Sequence, residues 1–104
     1  MKILLTGAAG QVGYELERSL QGLGEVTALR REQLDLTDLG QLRDVIRSFK
    51  PGLIVNAASY TAVDKAEAEP ALARRINAEA PEVMALEARK LGAAIVHYSS
   101  DYVF

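Results

Sequence analysis

Short apolar runs alternate along this chain with segments whose apolar residues recur at helical spacing. The first run, residues 3–5, contains no polar residue, which is typical of a strand buried on both faces of a parallel sheet. Three further apolar runs follow it. Together they predict four strands, at residues 3–5, 25–29, 53–55 and 93–98.

The segments between these runs predict helices, at residues 11–21, 39–50, 63–68 and 71–91. Asp38 is a good N-cap for the second of them, and Pro51 ends it. Pro81 falls inside the last and longest one, where it must kink or restart the helix because proline has no N–H to donate.

The resulting order, βαβαβαβ, predicts an α/β fold with one parallel sheet and helices on both faces. We expect a Rossmann-like, doubly wound sheet with strand order 3-2-1-4 and a ligand crevice at the carboxyl ends of strands 1 and 4. The length allows a single domain over residues 1–104. Because a complete domain of this type needs more than four strands, we expect a partial domain, truncated after the fourth strand, from a longer enzyme.

Composition and charge exclude several classes of function. Hydrophobic residues make up 49% and charged residues 25% of the chain, which is a globular composition. A net charge of −2 offers no basic surface to nucleic acid, and no apolar run is long enough to span a membrane. The lack of cysteine and the single histidine leave no disulfide and no metal site to propose. The start of the chain does not have the pattern of a signal peptide, so a cytoplasmic protein is expected.

The turn after the first strand carries the candidate chemistry. Glycines stand at Gly7, Gly10 and Gly13, between the predicted strand and the predicted helix. Glycine lets the backbone turn tightly and lets a ligand approach it, and the free N–H groups at a helix start attract a pyrophosphate. The flanking strand and helix distinguish a nucleotide site from a merely structural turn. The spacing GxxGxxG resembles the extended, sugar-nucleotide-modifying branch of the short-chain dehydrogenase/reductase superfamily.

Longer segments resemble one family of that branch, the dTDP-4-dehydrorhamnose reductases, along the whole chain. The segments are GAAGQVGYEL from residue 7, NAASYTAVDKAE from residue 56 and HYSSDYVF from residue 97. The resemblance implies the NAD(P)-binding portion of an oxidoreductase that reduces the 4-keto group of dTDP-6-deoxy-L-lyxo-4-hexulose, giving dTDP-L-rhamnose. It implies a role in nucleotide-sugar and cell-envelope polysaccharide biosynthesis. The full-length enzyme could be a homodimer.

The resemblance also assigns residues to each part of the ligands. The pyrophosphate would be lined by Gly7, Gly10, Gln11 and Val12, and the adenine by Asp35 and Leu36. The nicotinamide side of the cofactor would be flanked by Ala57, Ala58 and Tyr60. The sugar would lie near Thr61 and Val63, and its carbonyl would accept a hydrogen bond from the catalytic Ser100. The family usually has STD where this chain has SSD, and serine keeps the hydroxyl.

The residue at the end of the second strand bears on the choice of coenzyme. A carboxylate there binds the ribose 2′-hydroxyl of NAD, whereas an arginine pairs with the 2′-phosphate of NADP. This chain has Arg30 and Arg31, followed by Glu32. NADP(H) is therefore favoured over NAD(H), although the arginines could be solvated loop charges and Glu32 could accept NAD instead.

One feature of the superfamily is missing from the sequence. Its members use a tyrosine as proton donor, with a lysine four residues later. The tyrosines of this chain, Tyr14, Tyr60, Tyr98 and Tyr102, have no such lysine. Because Ser100 alone offers only a hydrogen bond to the developing alkoxide, we expect the 104-residue chain by itself to be inactive.

Two other functions stay open at this point. A related sugar-nucleotide epimerase or dehydratase would keep its nicotinamide bound and return it at the end of each turnover. A non-catalytic protein resembling the regulatory subunit of methionine adenosyltransferase would have no turnover. The single histidine, His97, is predicted to be a structural histidine of the core or the sheet edge rather than a catalytic one.

Overall fold

The computed structural model describes residues 1–7, 10–30, 33–57 and 70–97, and within them it confirms the predicted alternation of strands and helices. The strands are β1 (Lys2–Thr6), β2 (Glu25–Leu29), β3 (Leu53–Asn56) and β4 (Ala94–His97). The helices are α1 (Gly10–Leu20), α2 (Leu39–Phe49), α3 (Pro70–Arg74) and α4 (Ala80–Leu91), and a π-helical turn, Arg75–Glu79, joins the last two. The helix predicted at residues 63–68 lies outside the described residues.

The four described strands are parallel, and their order corrects the prediction. Across the sheet the order is β2, β1, β3, β4, instead of 3-2-1-4. β1 therefore pairs with β2 on one side and with β3 on the other, and the register sets Thr6 beside both Leu29 and Asn56. The winding direction reverses after β2. The switch point, where ligands bind in folds of this type, thus lies between the carboxyl ends of β1 and β3 rather than of strands 1 and 4.

The face on which α2 packs explains this order. Leu16 of α1 packs on the sheet face that carries Ile3 and Leu5. Leu42 of α2 packs on the opposite face, in the cluster that contains Leu4. A right-handed crossover that passes over the opposite face travels in the opposite direction across the sheet. The second crossover therefore carries the chain back past β1, and β3 forms on the far side of β1.

The apolar runs supply the core on both faces of the sheet. Ile3, Leu4 and Leu5 are fully buried, which confirms the prediction that this strand is covered on both sides. Leu42 of α2 and Met84 of α4 are also fully buried and belong to one cluster. The two helices therefore share a single hydrophobic layer over one face of the sheet.

Local signals place the helix ends as predicted. Asp38 caps α2, its carboxylate accepting the backbone N–H of Gln41 at 3.1 Å. Pro81 lies in the first turn of α4, directly after the π-helical turn. Because proline cannot donate a backbone hydrogen bond, the chain ahead of it leaves α-helical register, and the helix restarts at this point.

An ion-pair cluster joins α2 to α4. Glu87, which is 3% exposed, accepts hydrogen bonds from Arg47 Nε at 2.7 Å and from Lys90 Nζ at 3.3 Å. The hydrogen bond from Arg47, partly opposed by desolvation, holds the pKa of Glu87 below its ordinary value. The carboxylate therefore stays ionised and holds α2 against α4 on the same face of the sheet.

Candidate functional site

β1 and β3 end side by side at the switch point of the sheet. Thr6 and Asn56, their last residues, lie in register. Gly7 follows β1 with a φ of 70°, a left-handed conformation that favours glycine, and α1 begins at Gly10. The predicted order of strand, glycine turn and helix is confirmed. The unpaired N–H groups of the first turn of α1, at the positive end of its dipole, lie at this same edge.

The segment after β3 continues along this edge. The backbone N–H of Ala57 donates to the carbonyl oxygen of Thr6 at 2.9 Å, so Ala57 lies next to the start of the glycine turn. The structure therefore brings several of the predicted coenzyme residues to one edge, namely Gly7, Gly10, Gln11, Val12 and Ala57. A strand end, a glycine turn and a helix start together make an edge that suits a diphosphate.

Arg30 directly follows β2, and its side chain is exposed. Its carbonyl oxygen accepts the backbone N–H groups of Gln33 and Leu34, both at 2.9 Å. Its own N–H donates to Gln33 Oε1 at 2.8 Å. This tight turn fixes the point at which the guanidinium leaves the sheet, one strand away from the glycine turn. Arg31 and Glu32 lie outside the described residues.

Asp35 and Leu36 belong to the turn that leads into α2. Asp35 Oδ1 accepts the backbone N–H of Thr37 at 2.9 Å and the hydroxyl of Thr37 at 2.6 Å. Leu36 is 9% exposed and packs in the core cluster shared by α2 and α4. If Leu36 contacts adenine, the contact would therefore be made mainly by its backbone atoms. The assignment of these two residues to adenine stays a prediction.

Five of the predicted site residues lie outside the described part of the chain: Ala58, Tyr60, Thr61, Val63 and Ser100. Their roles stay predictions. The points at which their segments leave the sheet are known, because residues 58–69 follow Ala57 and residues 98–104 follow His97 at the end of β4. Both segments begin at the carboxyl edge of the sheet, the edge at which Gly7 lies.

Three polar side chains end β1, β3 and β4, and the sequence patterns did not assign them to the site. Thr6 Oγ1 donates to Asn56 Oδ1 at 2.9 Å, and Asn56 Nδ2 lies 3.4 Å from His97 Nδ1. β4 pairs with β3 alone among the described strands, so His97 ends an edge strand of the described sheet, and its structural role stays a prediction. The signal that could have found this group is a polar residue closing each of three apolar runs.

The described part of the chain also contains a groove beside the outer strand β2. The groove, of about 850 Å³, runs along α2, and its described lining, which includes Leu29, Val45 and Phe49, contains none of the predicted site residues. No cluster of three His, Cys, Asp or Glu side chains that could hold a metal ion occurs among the residues described. Nor does that part of the chain contain a helix with the length and apolar character needed to cross a membrane.

Comparison with known proteins identifies the family. The family model described as the RmlD substrate binding domain matches residues 1–104. The dTDP-4-dehydrorhamnose reductase of Burkholderia thailandensis is 51% identical over 104 residues, a match that covers 100% of this chain and 35% of that protein. The chain thus spans about a third of the length of the curated relatives that it matches.

Solved structures share the fold. A dTDP-4-dehydrorhamnose reductase from Clostridium acetobutylicum superposes with a TM-score of 0.87 at 43% identity, covering 100% of this chain and 38% of that one. The reductase of Bacillus anthracis, solved in complex with NADP, has a TM-score of 0.85 at 36% identity, covering 99% of this chain and 37% of that one. Since the family model spans every residue, this chain belongs to the family described as the RmlD substrate binding domain, and its similar relatives are dTDP-4-dehydrorhamnose reductases.

Proposed function

We propose that this chain is the NADP(H)-binding part of a dTDP-4-dehydrorhamnose reductase. In this proposal the complete protein reduces the 4-keto group of dTDP-6-deoxy-L-lyxo-4-hexulose to give dTDP-L-rhamnose. The observation that carries the proposal is the shared carboxyl edge of β1 and β3, where Gly7, the start of α1 and Ala57 adjoin. The Bacillus anthracis relative, which has the same fold, supports the choice of NADP because its structure contains that coenzyme.

This edge offers two kinds of interaction to a diphosphate. The first-turn N–H groups of α1 have no acceptor within the helix, and the aligned peptide dipoles place a partial positive charge there. Gly7 has no Cβ, so phosphate oxygens can approach the backbone closely. The diphosphate therefore binds between Gly7 and the first turn of α1, and the nicotinamide half of the coenzyme extends towards Ala57 and β3.

Arg30 supplies the preference between coenzymes. A guanidinium binds a phosphate through paired, charge-assisted hydrogen bonds, whereas a ribose hydroxyl offers it much less. The exposed side chain of Arg30 leaves the sheet one strand away from the glycine turn, on the side where the adenosine half of a dinucleotide lies. NADP therefore gains an interaction that NAD lacks, and NAD(H) serves as the weaker coenzyme.

The chain contributes binding and carbonyl polarisation to the reaction. When bound, the nicotinamide supplies the hydride. Ser100 donates a hydrogen bond to the sugar carbonyl oxygen as that oxygen becomes an alkoxide, while Thr61 and Val63 hold the sugar. Completing the alcohol needs a general acid, and these 104 residues contain no tyrosine followed four residues later by lysine. The proton donor therefore belongs to the complete protein, and the isolated chain has no turnover.

The test is an assay of the full-length protein that carries this chain, with NADPH and the dTDP-4-keto-6-deoxyhexose. Consumption of one NADPH per product molecule supports the reductase. Product formed without net consumption of NADPH would instead indicate an epimerase or dehydratase, because such enzymes regenerate their coenzyme. Coenzyme binding without any turnover of a folded protein would reject the enzyme and favour a regulatory subunit.

The proposed role of Ser100 can be tested by comparing alanine substitutions at Ser100 and at Ser99. Ser100→Ala should lower kcat by about 100-fold, since it removes a hydrogen-bond donor to the developing oxyanion. Ser99→Ala changes the same side chain one position earlier and should leave kcat within a few-fold of the wild type. Equal losses in the two variants would remove Ser100 from its proposed role.

A further inference from the structure

The carboxyl edge of the sheet carries a row of polar side chains one layer above the core. Thr6, Asn56 and His97 are the last residues of β1, β3 and β4, and the register sets Thr6 beside Asn56 and Asn56 beside His97. We call these three residues the polar row. Two positions earlier in each strand the same face is apolar, formed by Leu4, Ile54 and Ile95. The change from apolar to polar therefore occurs at one level across three neighbouring strands.

Hydrogen bonds run through the polar row in one direction. Thr6 Oγ1 donates to Asn56 Oδ1 at 2.9 Å, so the amide nitrogen of Asn56 faces the other way, 3.4 Å from His97 Nδ1. Because that amide nitrogen is a donor, a hydrogen bond between these two atoms requires His97 Nδ1 to be the acceptor, which is the tautomer with the imidazole proton on Nε2. Thr6 and Asn56 are 0% and 3% exposed, so little water competes for the bond between them, whereas the side chain of His97 is exposed.

Each member of the polar row is followed directly by a segment that the proposed function uses. Gly7 and the glycine turn follow Thr6, Ala57 follows Asn56, and the segment with Ser100 follows His97. Between β1 and β3 the backbone supplies a further bond beyond this level, from Ala57 N–H to the carbonyl oxygen of Thr6. The paired register of β3 and β4 stops at Asn56 and His97, so their side-chain bond is the last described link between these two strands.

Resting on the proposed function, we propose that Asn56 and His97 are positioning residues for the reaction. Their hydrogen bond ties together the ends of β3 and β4, the two points from which the coenzyme segment and the Ser100 segment continue. A catalytic hydroxyl has to be held within roughly 0.5 Å of its productive position, and an error of about 1 Å can cost on the order of 100-fold in rate. The bond therefore acts on kcat, whereas the coenzyme is held chiefly by the glycine turn on β1.

The experiment uses the full-length protein with two variants of His97 and one control. His97→Leu removes the acceptor, and we expect kcat to fall about 10-fold while the Kd for NADPH changes less than about 3-fold. His97→Asn keeps an acceptor oxygen at the place of Nδ1 and should restore kcat to within about 3-fold of the wild type. Ile95→Val trims the same strand and face without touching the polar row, and should leave kcat within about 2-fold.

Several results would overturn the proposal. They are an unchanged kcat in His97→Leu, an equal loss in His97→Asn, and an equal loss in Ile95→Val. Nitrogen NMR of the His97 imidazole gives an independent readout: a proton on Nε2 supports the polar row, and a proton on Nδ1 contradicts it. A wild-type protein without reductase activity would reject the proposed function itself, and the NMR result would then still decide whether the hydrogen bond exists.

Discussion

Replacing Gly7 by alanine separates the role of this residue in coenzyme binding from its role in folding. Its φ of 70° is a conformation that a residue with a Cβ adopts at a cost of about 1–2 kcal/mol. Alanine also restricts the unfolded chain, which offsets roughly 0.4–1 kcal/mol of that cost. We therefore expect Gly7→Ala to lower the free energy of unfolding by about 1 kcal/mol, which leaves a typical domain folded.

The effect of the same substitution on coenzyme binding should be larger. The new Cβ occupies the space through which a diphosphate approaches the backbone, and strain at residue 7 turns its amide away from the ligand. A lost hydrogen bond to a charged group corresponds to about 1.5–3 kcal/mol. The Kd for NADPH should therefore rise by about 10- to 100-fold.

Gly92 provides a matched control for this prediction. It ends α4 with the same φ of 70° and stands at the opposite edge of the sheet from Gly7. No atom of the described residues lies within 4 Å of the position that an alanine methyl group would occupy there. Urea unfolding should show similar losses of stability for Gly7→Ala and Gly92→Ala, while a fluorescence titration with NADPH should show weaker binding for Gly7→Ala alone. Equal affinities in the two variants would refute the placement of the diphosphate at the glycine turn.

Three further substitutions test the packing and the coenzyme preference. Glu87→Gln should lower the urea midpoint at neutral pH, because it removes the carboxylate bound by Arg47. The pKa of Glu87 is lower in the folded protein than in the unfolded chain. The carboxylate therefore contributes its full stabilisation above the unfolded pKa, and this stabilisation is lost as pH falls through the folded pKa. The difference in urea midpoint between Glu87→Gln and the wild type should therefore disappear in acid. Arg30→Glu should weaken NADP binding by about 10-fold and narrow the preference over NAD, measured as a ratio of Kd values. Gly24→Ala should cost about 1–3 kcal/mol in urea unfolding, because its Cβ would lie 2.3 Å from the carbonyl oxygen of Met1.

Each of these substitutions has a control in the same chain. The control for Glu87→Gln is Glu82→Gln, which removes an exposed carboxylate from the same helix. The control for Arg30→Glu is Arg89→Glu, which reverses an exposed charge on α4, away from the carboxyl edge. Gly22→Ala, the control for Gly24→Ala, adds a methyl group at a position with no atom of the described part of the chain within 4 Å. A stability difference that is independent of pH would contradict the role of the Glu87 carboxylate. An unchanged ratio of Kd values for NADP and NAD would contradict the role of Arg30. Equal urea midpoints for the Gly24 and Gly22 variants would contradict the close approach of Gly24 to Met1.

The hydrogen bonds of the polar row illustrate which part of the site could not be predicted. The glycine turn was recognisable because its strand, glycines and helix start are contiguous in the sequence. Thr6 and Asn56 are 50 positions apart, and Asn56 and His97 are 41 positions apart. No periodicity relates residues at such separations, so their hydrogen bonds became visible only when the strands were paired in register.

The sequence by itself determined the described strands and helices, the Asp38 cap, the restart at Pro81 and the glycine turn, because each depends on residues within a few positions of one another. Only the tertiary structure decided the order of the strands. An apolar stripe shows that a helix packs on a sheet, but it does not show on which face. Because α2 packs on the face opposite α1, β3 lies beside β1, and the switch point forms where Thr6 meets Asn56.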